Sequence, residues 1–328
     1  MTLKTLNEHI KNKTFSRIYL LYGEEKYLIR FYRDKLTESI LGEKPSGNMN
    51  YHHYEGVSAI PADIAEQGLC MPFFAERQLL VIENSGLFKS ANDLPDIIPD
   101  MPESTYIIFI EDSIDKRNSL YKYVKANGVI SEINHMNDYE LVSWIASYLS
   151  KADCMITKRA ANLLIFKAGT DMSTLASELE KLISYVGDSK KIDNAEVDAI
   201  CITQLTGKIF LMMDHIVSGN RTKALNLYRD LVVLKENTSN IIFLLTRHYN
   251  ILLCIKDIYH ESDNEIARKL SVPSFTVRKY KTQASAYTKK EITDRISMCI
   301  ETEEAIKTGR AAPQIATEVL IVSLSTKQ

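Results

Sequence analysis

The stretch "RIYLLYGEEKYLIRFYRDKLTESIL", Arg17 to Leu41, joins a compact apolar run to a glycine and then to helical spacing. Ile18 to Tyr22 is short and uniformly apolar, as expected of a strand covered on both faces. After Gly23, the residues Leu28, Phe31, Tyr32, Leu36 and Ile40 recur near one face of a helix. The same alternation continues downstream. NYHHYEG reads as a second strand and Ile60 to Gln67 as a short helix. QLLVIEN is a clear strand, LPDIIPDMP a proline-punctuated connection, and TYIIFIED (Thr105 to Asp112) the strongest strand of all. SLYKYVKANG is a helix with a glycine stop, and GVISEIN a final strand. Strands alternating with helices predict a parallel sheet covered by helices.

The pattern changes after Met136. NDYELVSWIASYLSKADC, TKRAANLLIFKAG, DMSTLASELEKLISYVG and IDNAEVDAICI each carry helical spacing. Asn137 or Asp138 caps the first and Asp193 the last. From Thr206 onward every segment reads as helix, from KIFLMMDHIVSG to PQIATEVLIVSLS. The expectation is three domains: α/β over 1–136, a small helical domain over 137–205, and a larger helical domain over 206–328.

Composition narrows the function. The chain has 328 residues, enough for two or three domains, with ordinary globular proportions of apolar and charged residues. A formal charge of -2 argues against a free-standing DNA binder. The five cysteines are scattered without a CxxC pair, which reads as reduced cytosolic thiols. The opening MTLKTLNEHIKNKTF lacks an apolar core of signal-peptide length, and no apolar run reaches membrane-spanning length, so no membrane association is expected.

Catalytic patterns are missing where they would be looked for. A strand, glycine and helix can hold a phosphate-binding loop, but that loop needs GxxxxGK[ST]. Here YGEEKYLI offers only Gly23 and Lys26, with Glu24 and Glu25 placing negative charge where phosphate would lie. Glu111 and Asp112, at the end of TYIIFIED, have the position of magnesium-binding acids; alternatively they cap a turn or face solvent. His52 and His53 are adjacent and fall on opposite faces of a strand, which is no metal spacing. EIARKLSVPSFTVRKYK (Glu265 to Lys281) resembles a helix-turn-helix, in which Arg278, Lys279 and Lys281 would meet phosphates; the alternative is a helix pair inside the C-terminal bundle. No cofactor and no metal site is expected.

One stretch has a surplus of apolar side chains. In GLCMPFFAERQLLVIENSG, Met71, Pro72, Phe73 and Phe74 stand in a row directly before a strand. They either plug the core or enter a partner's pocket.

Several segments together resemble the delta subunit of the bacterial DNA polymerase III clamp loader. They are YLLYGEEKYLI, MPFFAERQLLVIE, IIFIEDSIDKRNSLYKYVKANG, LASELEKLISYVGD, EIARKLSVPSFTVRKY and AIKTGRAAPQ, in an order that runs through nearly the whole chain. The resemblance implies an AAA+-like α/β domain, a helical lid and a helical collar that joins the loader ring. It implies a nucleotide site that has been lost, so that Gly23 and Lys26 are relics. The Ser-Arg-Cys motif that holds an arginine finger in related loader subunits is missing as well. The implied role is to bind the ring-shaped sliding clamp, the beta subunit, and to stabilise it open for loading onto primed DNA. Other loader subunits would bind and hydrolyse ATP. No intrinsic catalysis is implied, only membership of a cytoplasmic polymerase assembly. The implied clamp-binding residues are Phe73 and Phe74, led in by Met71 and Pro72. The family more often has leucine where this chain has Phe73. The rival expectations are an active AAA+-like ATPase and a helix-turn-helix regulator. Lys307 to Arg310, within AIKTGRAAPQ, either touch neighbouring subunits or cap a helix.

Overall fold

The computed structural model describes residues 3–326. The chain divides into two compact units, Met1–Met136 and Asn137–Gln328. The first runs through α1 (Leu3–Asn12), β1 (Ile18–Tyr22), α2 (Lys26–Leu41), β2 (Tyr51–Glu55), α3 (Pro61–Leu69), β3 (Gln78–Glu83), the one-turn α4 (Leu94–Ile97), β4 (Thr105–Glu111), α5 (Ser119–Asn127) and β5 (Val129–Glu132). The strands form one sheet in the order β2-β3-β4-β1-β5, and every neighbouring pair is parallel. This is the expected α/β architecture.

Burial explains the sequence pattern. β1 lies between β4 and β5 and is buried at all five positions, which is why its run has no polar alternation. One core cluster joins Leu20, Leu80, Ile82, Phe109 and Leu120 to Ile64 of α3 and to Phe88. The rings of Phe88 and Phe109 meet edge to face, with centroids 5.1 Å apart. Each such burial is worth about 1.5–3 kcal/mol.

Two local features depart from the expectation. α1 was not anticipated, although Leu3, Leu6 and Ile10 fall on one face of it; of these Leu6 is buried and the other two half-buried. The segment read as a connection, LPDIIPDMP, folds into α4 and a 3-10 turn at Ile98–Asp100. Pro95 and Pro99 sit in the first turns, where a missing N–H is harmless.

The second unit contains α6 (Asp138–Ser150), β6 (Met155–Ile156), α7 (Lys158–Ala168), α8 (Met172–Val186), β7 (Lys191–Ile192), α9 (Asn194–Ile200), α10 (Leu205–Val217), α11 (Arg221–Val233), α12 (Thr238–Ile258), α13 (Asp263–Leu270), α14 (Ser274–Ser285), α15 (Lys289–Lys307) and α16 (Pro313–Leu324). The helix starts carry their caps. Asn137 accepts from the N–H groups of Tyr139 and Glu140, and Glu140 closes a capping box. Thr157, Asp171 and Asp193 cap the next three helices. β6 and β7 pair in parallel, a ladder too short to leave any periodicity in the sequence. α12 buries one broad face, including Ile241, Leu245, Tyr249, Leu252 and Ile255, against the helical core. Among the described residues no single helix is long and apolar enough to cross a membrane.

Candidate interaction site

The loop from Cys70 to Arg77 leads from α3 into β3, at the end of the sheet where β3 begins. Its apolar side chains are not used by the core. Met71 is 74% exposed, Phe73 55% and Phe74 95%, whereas Leu79 to Ile82, immediately after, are fully buried. Pro72 is half-buried. The two phenyl rings pack on each other edge to face, with centroids 4.6 Å apart. Phe74 has φ 48°, a left-handed conformation that is costly for a bulky aromatic. Such strain persists only where surrounding contacts hold the backbone.

Those contacts are polar and come from three separate segments. Asn50, buried just before β2, reads the backbone of Phe73 on both sides. Its Oδ1 accepts from the Phe73 N–H at 2.6 Å, and its Nδ2 donates to the Phe73 carbonyl at 3.0 Å. Gln78, buried at the start of β3, donates from Nε2 to the carbonyl of Cys70 at 2.5 Å and to Thr105 Oγ1 at 2.8 Å. Thr105 stands opposite Gln78 in the β3–β4 register and donates its hydroxyl to the Gly68 carbonyl at 2.9 Å. The guanidinium of Arg77 lies 5.4 Å from the Phe15 ring centroid and 5.7 Å from that of Tyr106. Thus the end of α3, the middle of the loop and the strand entry are each tied down, while the phenyl rings point away from the core. Asn50, Gln78 and Thr105 were not singled out by the sequence; a polar residue inside or beside an apolar strand is the signal that could have found them.

The strand–glycine–helix corner lies at the other end of the same parallel sheet, where β1 finishes. Gly23 has φ 135°, and a Cβ there would sit 2.3 Å from the Ile133 carbonyl oxygen. Its glycine is demanded by the close passage of the chain beyond β5. The start of α2 is occupied by a carboxylate of the chain itself. Glu25 is buried; one oxygen accepts from the Tyr27 N–H at 3.2 Å and the other lies 2.9 Å from His135 Nδ1. Lys26 donates to the Gly23 carbonyl at 3.2 Å and pairs with Asp112. An anion approaching this helix start meets Glu25, and the lysine is already engaged.

The other polar candidates are also engaged internally. Glu111 is buried and accepts from the Ser85 N–H at 3.0 Å; burial pushes its carboxyl above the usual range. His53 lies 3.1 Å from Glu83, and burial lowers the pKa of His52. Among the described residues no group of three His, Cys, Asp or Glu could hold a metal ion. In the helix-turn-helix-like segment, Ser271 supplies the left-handed turn at φ 51° in place of glycine. Its cations pair with acids, although Arg278 and Lys279 stay exposed. Arg278 and Lys281 pair with Asp263 at 3.3 and 2.9 Å, and Lys279 pairs with Asp214 at 3.2 Å. Ala267, Leu270, Val272 and Val277 pack on the helical core of the second unit, the bundle alternative. Lys307 and Arg310 pair with Glu303 and Glu304, and the Gly309 and Arg310 N–H groups close the end of α15.

Comparison with known proteins identifies the family. The family model described as "DNA polymerase III, delta subunit" matches residues 19–134, and the one described as "DNA polymerase III delta subunit, C-terminal domain" matches residues 206–324. The chain belongs to the DNA polymerase III delta subunit family. It is 22% identical over 325 residues to the DNA polymerase III subunit delta of Bacillus subtilis (strain 168), covering 94% of this chain and 92% of that protein. It is 24% identical over 270 residues to the probable DNA polymerase III subunit delta of Rickettsia prowazekii (strain Madrid E), covering 79% of each. Among solved structures, the Bacillus subtilis DNA clamp loader delta protein (YqeN) superposes with a TM-score of 0.71 at 21% identity, covering 99% of this chain and 100% of that one. The fold of that structure, a parallel sheet followed by helices, is the fold of this chain. Phe73 and Phe74 lie inside the first matched region.

Proposed function

We propose that this delta-family chain opens a ring-shaped DNA sliding clamp for loading onto primed DNA, and that Met71, Pro72, Phe73 and Phe74 bind the clamp. The observation that carries the reading is the pair of phenylalanines kept out of the core on a strained, hydrogen-bonded loop. Aromatic anchors entering a pocket are how interface hot spots work. Two buried phenyl side chains supply about 3–6 kcal/mol, a large part of the roughly 8 kcal/mol of a micromolar complex, before association costs. Rigid mounting reduces the ordering cost on binding.

Clamp opening follows from differential affinity. A ligand shifts an equilibrium only as far as it prefers one state. The loop is the anchor, and α3 beside it holds the clamp in a shape its closed interface does not accept. In this reading residues 1–136 carry the clamp element, 137–205 form the lid, and 206–328 form the collar that joins neighbouring loader subunits. The neighbours supply ATP hydrolysis, since the Gly23–Lys26 corner is filled by Glu25 and Asp112. Primed DNA is met by the assembly, in the cytoplasm at the replisome.

Co-purification with the sliding clamp tests the reading. The wild-type chain retains the clamp, and the folded Phe73→Ala/Phe74→Ala variant releases it. Undiminished capture by that variant would sink the site assignment.

A further inference from the structure

A cavity of about 520 Å³ lies within the second unit, between the end of α7, the starts of α8 and α10, the middle of α12 and the turn into α14. Its volume is that of a small-molecule site. One wall is aromatic. Phe210 stacks edge to face on Phe166, His248 and Tyr280, with centroids 5.6, 5.3 and 4.9 Å apart, and all four rings line the cavity.

Only two lining residues carry formal charge, Asp171 and Arg247. The Asp171 carboxylate is engaged with its own helix, accepting from the Thr174 N–H at 2.8 Å and the Ser173 hydroxyl at 2.6 Å. Arg247 is exposed and makes no hydrogen bond or ion pair among the described residues. His248 adds no second cation. Gln283 donates its amide to Asp214 at 2.6 Å, so its oxygen faces His248 Nε2 at 2.7 Å and fixes the imidazole proton there. Burial lowers the pKa of this ring to about 4, so it is neutral at ordinary pH. The result is an aromatic chamber with an unpaired guanidinium on its rim, while the Asp171 carboxylate is held by the start of its own helix.

We infer that this cavity binds a small amphipathic organic anion, with its flat apolar body against Phe210 and Tyr280 and its carboxylate or sulfonate on Arg247. The bound molecule would touch α7 and α8 on one side and α12 and α14 on the other. It would therefore fasten these helices to one another. The inference is independent of the clamp-binding loop.

The probe is 8-anilinonaphthalene-1-sulfonate, titrated by fluorescence into the full chain carrying Phe73→Ala/Phe74→Ala, so that the exposed phenylalanines do not contribute. One saturable equivalent is expected. Arg247→Ala should weaken it about tenfold or more, because a charge-assisted contact is lost. Arg247→Lys should restore part of the affinity. Thr206→Trp, which fills the rim, should remove the saturable signal. The neutral analogue N-phenyl-1-naphthylamine should bind about tenfold more weakly than the sulfonate. Equal binding of the neutral analogue, or a titration unchanged by both Arg247→Ala and Thr206→Trp, would overturn the inference.

Discussion

Two corners of the α/β unit stand at opposite ends of one parallel sheet and solve opposite problems. At Gly23–Lys26 two of the three charged side chains are answered from within: Glu25 caps α2 and lies beside His135, while Lys26 pairs with Asp112 and Glu24 is exposed. At Leu69–Arg77 the backbone is answered from within, by Asn50 and Gln78, but the apolar side chains are left outside. Ligands of open parallel sheets usually bind beyond the carboxyl ends of the strands. Here that end is closed, and the exposed element stands at the amino end of β3. One corner turns its polar groups inward; the other satisfies its backbone and leaves apolar side chains exposed.

Substitutions at five residues break or sharpen this contrast. The largest effect is expected from Gly23→Ala, whose Cβ has no room beside the Ile133 carbonyl and whose φ is unsuited to alanine. Denaturant unfolding should show a loss of about 3 kcal/mol or more. A loss under about 1 kcal/mol would mean the corner can relax. Next, Phe73→Ala/Phe74→Ala should weaken clamp binding about 100-fold, roughly 2.7 kcal/mol by calorimetry. Because both rings are exposed, its stability should stay within about 0.5 kcal/mol of wild type, and a larger fall would return the pair to the core.

Asn50→Ala leaves the phenylalanines in place and removes their mount. Clamp binding should fall about tenfold, about 1.4 kcal/mol. Asn50→Asp keeps the acceptor for the Phe73 N–H and should lose less. Equal affinity for both variants and wild type would show that the loop needs no preorganisation. The smallest change is Glu25→Gln, which weakens the cap of α2 and should cost about 0.5–1 kcal/mol in thermal unfolding. Clamp capture should be untouched. An ATP titration of this variant should remain unsaturated, and a saturable signal would mean that Glu25 alone had closed the corner.

The order of elements was legible because helices and strands report themselves locally. The apolar run of β1, the caps Asn137 and Asp193, and the glycine stop after α5 each involve residues a few positions apart. The β6–β7 pair escaped because two-residue strands carry too little pattern to read, whereas α1 was overlooked although Leu3, Leu6 and Ile10 stand at helical spacing. The lack of GxxxxGK[ST] after β1 is a statement about the sequence alone, since that motif is contiguous.

The sequence by itself determined that MPFF is a surplus of apolar groups before a buried strand. It could not determine which way those groups face. That depended on Asn50 before β2, Gln78 at the start of β3 and Thr105 on β4, brought together by sheet register. The same holds for Arg278, Lys279 and Lys281, which a linear reading leaves free and the folded chain sets against Asp263 and Asp214. Hydrophobic periodicity is a property of neighbours along the chain, whereas exposure and pairing are properties of neighbours in space, and only the packed tertiary structure supplies those.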